Sequence, residues 1–78
     1  MADNTYNGYA NYETWNVALW IQNEEPVYRH ARIHGYRGYD SMIPWLEGYF
    51  EQQCTPDGVR FMDGIIDNDE LDEVLQDL

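Results

Sequence analysis

Two histidines, His30 and His34, stand four residues apart in the segment Arg29-His-Ala-Arg-Ile-His34. On a helix that spacing puts both imidazoles on one face, an arrangement able to hold zinc. The residues between them are Ala31, Arg32 and Ile33, so the glutamate of the helical metalloprotease motif is missing, and the arginines repel a cation. The pair is better read as compensation of a helix C-terminal dipole, with one ring packed. The acid-rich stretch Asp63, Asp67, Asp69, Glu70, Asp72 invites comparison with a calcium loop, which needs glycine at its sixth position and glutamate at its twelfth. Counted from Asp63 or Asp67, the sixth residue is Asn68 or Asp72, and the pattern fails. Cys54 is the one cysteine and sits in no nucleophile motif. There is no phosphate-binding glycine loop and no dinucleotide fingerprint. The chain is therefore expected to be no enzyme and to need no metal or cofactor.

Charge is the sharper signal. The 78 residues carry a net −11, and all four basic residues are arginines, Arg29, Arg32, Arg37 and Arg60. Residues 1–39 hold four acids against three arginines, and residues 40–78 hold eleven acids against one. Phosphate binding requires cations that displace counterions, so direct nucleic-acid binding is disfavoured. An anionic membrane surface is disfavoured for the same reason. A basic protein surface is favoured, because complementary charge speeds encounter. The expected docking face comprises Asp63, Asp67, Asp69, Glu70, Asp72, Glu73 and Asp77, with Glu47 and Glu51 adding to it. A carboxylate-studded helix can imitate the phosphate track of a duplex, which carries one charge per about 1.7 Å of axis. The plainer alternative is a solvated, solubilising face.

A second candidate interface is aromatic. Tyr6, Tyr9 and Tyr12 recur at every third residue, and Tyr36 and Tyr39 flank the only basic segment. Amphipathic aromatics are common interface anchors. Arginine with tyrosine in that segment could meet RNA or phosphate, but three arginines set beside so acidic a second half are more simply read as internal ion-pair partners.

The elements that would carry these groups are helical. Residues 1–10 lack an apolar period and read as a loop or tail, with one domain over 11–78. A first helix is expected from about Tyr12 to Asn23, central because Trp15, Val17, Ala18, Leu19, Trp20 and Ile21 cover most of its circumference. Asn16, inside that run, would need a partner for its amide if buried. Asn23 can cap a second helix in which Val27, Ala31 and His34 share a face and Gly35 ends the run. Asp40 or Ser41 can cap a third, with Pro44 in its first turn and Met42, Trp45, Leu46, Tyr49, Phe50 on the apolar face. Thr55-Pro-Asp-Gly58 either opens a short helix bearing Val59, Met62 and Ile66 or forms a plain turn. Asp67, with Glu70 three residues on, can cap a last helix whose inner face is Leu71, Val74, Leu75 and Leu78. The expected fold is all-α, a small bundle of four to five short helices, monomeric or a symmetric homodimer.

A lone cysteine excludes an internal disulfide, the opening Met-Ala-Asp-Asn-Thr lacks the features of a signal peptide, and the longest apolar run, Val17 to Ile21, is far short of a membrane span. A cytoplasmic location is expected.

The run Asn11-Tyr-Glu-Thr-Trp-Asn-Val-Ala-Leu-Trp-Ile21 resembles the opening motif of a family of small proteins found in phages, cyanobacteria and other microbes. Asn23 to Glu25, Thr55 to Val59 and Glu70 to Leu75 resemble the acidic stretch, the Thr-Pro-Asp-Gly-Val element and the Glu-Leu-rich terminal helix that follow in such proteins. The resemblance brings no catalytic residues. It implies a host-directed accessory role, such as countering restriction or CRISPR defence in the host cytoplasm.

Overall fold

A computed structural model describes residues 6–78. It has four α-helices: α1 (Tyr12–Asn23), α2 (Glu25–His34), α3 (Tyr39–Phe50) and α4 (Asn68–Gln76), with a 3-10 turn, Gly35–Arg37, between α2 and α3. The all-α expectation holds. Among the described residues there is no strand, only the isolated bridges Tyr6–Tyr9 and Cys54–Arg60. Residues 1–5 of the expected tail lie outside the described residues. The rest of it is a turn, in which Tyr6 and Tyr9 exchange both backbone hydrogen bonds across Asn7 and Gly8.

Helix α1 starts where the sequence places it. Asn11 Oδ1 accepts from the Thr14 amide at 2.8 Å, satisfying one of the orphan N–H groups of the first turn. Val17, Ala18 and Ile21 are buried and meet Val27 and Ala31 of α2, Met42 and Leu46 of α3, Phe61, and Leu71 and Leu75 of α4 in one cluster. The starts of α2 and α3 depart from expectation. Asn23 stays inside α1, its side chain donating to the Leu19 carbonyl, and Glu24 is the residue shared by the end of α1 and the start of α2. Helix α3 begins before Asp40 and Ser41, so neither caps it. Gly38, at φ +93° where only glycine is at ease, turns the chain, and Asp72 of α4 accepts from the Tyr39 amide at 2.7 Å. Pro44 consequently lies inside the helix and not in its first turn, and has no N–H to give to the Asp40 carbonyl.

The short helix after Thr55 does not form. Two bonds, the Thr55 amide to the Val59 carbonyl and the Gly58 amide to the Thr55 carbonyl, close Thr55–Val59 into a turn. Gly58 and Gly64 disfavour a helix, and the irregular path lets Phe61 reach the core while Met62 is 72% exposed. Only half of the expected capping box at α4 is made. Asp67 Oδ1 accepts from the Glu70 amide, whereas the Asp67 amide goes to Thr14 Oγ1 and the Glu70 carboxylate turns to the Ala10 amide at 2.7 Å. These bonds tie the start of α4 to α1 and to the chain entering it.

Candidate partner-binding surfaces

The nine carboxylates of the expected acidic face divide in two. Asp63, Asp67, Glu70 and Asp72 accept hydrogen bonds from the amides of Ile65, Glu70, Ala10 and Tyr39 respectively. Each is a structural fastening. Asp69, Glu73 and Asp77 are exposed and stand at i, i+4 and i+8 along α4 and its cap. They form one stripe with steps of roughly 6 Å. Glu51 is exposed at the left-handed residue that ends α3, and Glu47 is half-buried on that helix. The sequence missed Asp57: Asn16 Nδ2 and the Trp20 indole N–H both donate to its Oδ2, at 2.8 and 3.0 Å. Those two bonds, Asn16 first, hold the Asp57 carboxyl below the usual carboxylate range. The signal that could have found it was the polar Asn16 inside an apolar helix, which had to have a partner in some loop.

The arginines do not neutralise the acids. Among the described residues the one ion pair is Arg29 with Glu25, both exposed on α2. The Arg32 guanidinium lies 5.8 Å from the centre of the Tyr28 ring, and Arg37 Nε donates to the hydroxyl of Tyr36. The expectation of ion pairs between the basic segment and the acidic half is corrected: the three arginines of that segment take partners from the segment itself or from α2.

The aromatic set also divides. Tyr39 is fully buried, and its hydroxyl donates to the Phe61 carbonyl at 2.7 Å, so it is a core residue and not an interface residue. Burial lifts its ionisation far above the ordinary tyrosine range, reinforced by the charges of Asp40 and Glu47. Tyr9 is half-buried against the core. Tyr6 and Tyr12 are partly exposed and gather with Trp15, their ring centres 4.9–5.6 Å apart. Tyr36 is 74% exposed on the 3-10 turn and makes no ring contact with that group.

The histidines stack. The ring of His30 lies parallel to Trp45 with centres 4.0 Å apart, Trp45 stacks in turn on Tyr49, and His34 sits 4.6 Å from His30. The expected buried stripe Val27, Ala31, His34 holds for its first two members; His34 is exposed and His30 is the packed ring. Burial, then the proximity of His34, lowers the His30 pKa. Among the described residues no group of three or more histidine, cysteine, aspartate or glutamate side chains could hold a metal ion. No helix among them is long and apolar enough to cross a membrane.

A family model described as a family of unknown function, DUF7249, matches residues 2–78. The chain belongs to the DUF7249 family. The match takes in α1 to α4, so the acidic stripe, the aromatic group and the histidine stack all lie within the DUF7249 span. No curated protein and no solved structure matches the chain.

Proposed function

We propose that this protein is a non-enzymatic acidic binding module that docks on a basic surface of another protein. The observation that carries the reading is the exposed stripe Asp69, Glu73, Asp77, which no arginine of the chain neutralises. Between Asp67 and Asp77, about 15 Å of helix axis holds six carboxylates, or one per roughly 3 Å. A duplex carries one phosphate per about 1.7 Å. The acidic helix thus comes within a factor of about two of the charge density that a nucleic-acid-binding cleft is built to receive. The partner best matched is a nucleic-acid-binding protein whose cleft the helix fills, and the phage-associated resemblance supports a host defence protein, as in an anti-CRISPR or anti-restriction inhibitor.

The test is capture from host lysate on the immobilised protein, compared with the variant D69N/E73Q/D77N. The expected result is a partner that elutes with rising salt, is displaced by added duplex DNA and is lost by the variant. Capture that ignores salt, or that the variant retains in full, overturns the proposal.

The exposed cluster of Tyr6, Tyr12 and Trp15 supports a second reading, an adaptor that binds through aromatic side chains. Deleting residues 1–9 removes Tyr6 and should abolish that mode while sparing the acidic one.

A further inference from the structure

Basic side chains line a cleft of this acidic chain. The C-terminal half of α2, the 3-10 turn and the first turns of α3 enclose a half-open cleft of about 360 Å³, within the range of small-ligand sites. Its polar lining is His30, His34, Arg37 and Ser41, its apolar lining Met42, Pro44 and Trp45. No carboxylate lines it, in a chain with 15 acids and four arginines. Of the acids on α3 and α4, Asp72 accepts from the Tyr39 amide and Asp40 from Asn68 Nδ2 at 2.9 Å.

The cleft is also held in shape. His30 is pinned flat on Trp45, and Trp45 is backed by Tyr49, whose hydroxyl donates to Glu24 at 2.6 Å. Ser41 Oγ donates to the Arg37 carbonyl, tying the arginine-bearing turn to α3. Arg37 gives only its Nε to Tyr36, which leaves both terminal nitrogens able to donate. The His30 ring covers a face of the Trp45 indole.

We propose that this cleft is a binding site for the phosphoryl group of a small phosphate monoester. The guanidinium of Arg37 takes two phosphoryl oxygens, the imidazoles of His34 and His30 take the third, and the organic part lies along Met42 and Pro44. An oxyanion with three free oxygens suits the donors of one arginine and two histidines better than a carboxylate does, and guanidinium geometry matches phosphate. A second copy of this chain, offering its acidic helix, is a weaker candidate. Each copy bears −11, so the repulsion between two copies is about fivefold that between one copy and a dianion at equal distance.

The experiment is an amide and side-chain NMR titration at pH 6.0 with inorganic phosphate and with glycerol 3-phosphate, against sodium chloride at matched ionic strength. Saturable shifts are expected at the Arg37 Nε–H, at Ser41 and at the Trp45 indole N–H, with the ester binding at least as tightly as phosphate. Arg37→Gln and His34→Gln should each weaken binding about tenfold or more, the loss of at least one charge-assisted hydrogen bond. Both side chains are exposed, and an unchanged far-UV circular dichroism spectrum verifies the fold of each variant. Equal shifts in chloride, undiminished binding by Arg37→Gln, exclusion of the ester, or shifts centred elsewhere would each overturn the assignment.

Discussion

Asn16 is the residue on which the join between α1 and the 54–60 loop depends, and replacing it gives a sharp test of that join. Asn16 and Thr55 are 1% and 0% exposed. Thr55 Oγ1 donates to Asn16 Oδ1 at 2.7 Å and accepts from the Val59 amide at 3.2 Å, while Asn16 Nδ2 reaches out to Asp57. In Asn16→Ala the Thr55 hydroxyl loses its acceptor inside the core. Stranding a buried donor costs about 1–3 kcal/mol, and the small void left by the amide adds about 1 kcal/mol. The expected loss is about 2–4 kcal/mol, against a total of about 4–12 kcal/mol for a chain of this size. At about 4–8 °C per kcal/mol, the thermal midpoint falls by roughly 10–30 °C.

Thermal and urea unfolding followed at 222 nm measure this directly, and a cycle with Thr55→Val isolates the pair. Removing both partners leaves neither Asn16 nor Thr55 stranded by the other, and the acceptor lost to the Val59 amide is common to Thr55→Val and the double variant and cancels in the cycle, so the double variant should be about 1–2 kcal/mol more stable than additivity predicts. A single-variant cost below about 1 kcal/mol, or a coupling indistinguishable from zero, refutes the claim that this bond closes the loop onto α1.

Four further outcomes are expected. Tyr39→Phe leaves the Phe61 carbonyl without its 2.7 Å donor and should cost about 1–3 kcal/mol in urea unfolding. Gly38→Ala forces a side chain into φ +93° with its Cβ 3.4 Å from Asp72 Oδ1, and should cost about 1–3 kcal/mol by the same measurement. The Asp57 carboxyl is held below its unfolded value, so its contribution to stability is complete above the ordinary carboxylate range and disappears as pH falls through the lowered value. Asp57→Asn should therefore flatten the acid limb of a stability-against-pH curve, and an unchanged limb would show that the two donors do not favour the ionised form. The pair Glu73→Gln and Asp77→Asn should raise the thermal midpoint by several degrees in scanning calorimetry, because both acids stand among like charges in the C-terminal half of α4 and its cap.

The parts of the fold legible in the sequence are those whose causes are local. Apolar spacing marks α1, α3 and α4, and Asp67 with Glu70 marks the start of α4, because a periodic face and a side-chain cap act within a few residues. The start of α3 was illegible because its cap, Asp72, lies 33 residues away on another helix. Tyr39 reads as a loop tyrosine between Gly38 and Asp40. Only the Phe61 carbonyl, brought near by the irregular 54–66 segment, makes it a core residue. The acidic stripe was legible for the same reason as the helix that carries it. The fastening of Glu70 and Asp72 was not, since their amide partners come from Ala10 and Tyr39. The histidine cleft required the packing of α2 on α3, which no spacing within Arg29 to Arg37 specifies.

The division of the carboxylates separates what the fold requires from what it tolerates. Asp67 and Asp72 satisfy amides at the starts of α4 and α3, where a negative charge also suits the helix dipole. Glu73 and Asp77 have no such reason to be acidic. Glu73 faces like charges four residues away on both sides, each contact unfavourable by about 0.2–0.5 kcal/mol, and Asp77 sits at the C-terminal end of α4, where an anion opposes the dipole. A chain selected for stability alone would hold neutral or basic groups there, and has four arginines and no lysine with which it could have done so. Retaining destabilising acids on an exposed stripe is understandable if that stripe meets a cation outside the molecule. Calorimetry on the Glu73→Gln, Asp77→Asn variant decides the point: a higher midpoint together with lost salt-dependent capture places the stripe in binding, whereas a lower midpoint would make it part of the fold and leave the docking proposal without its foundation.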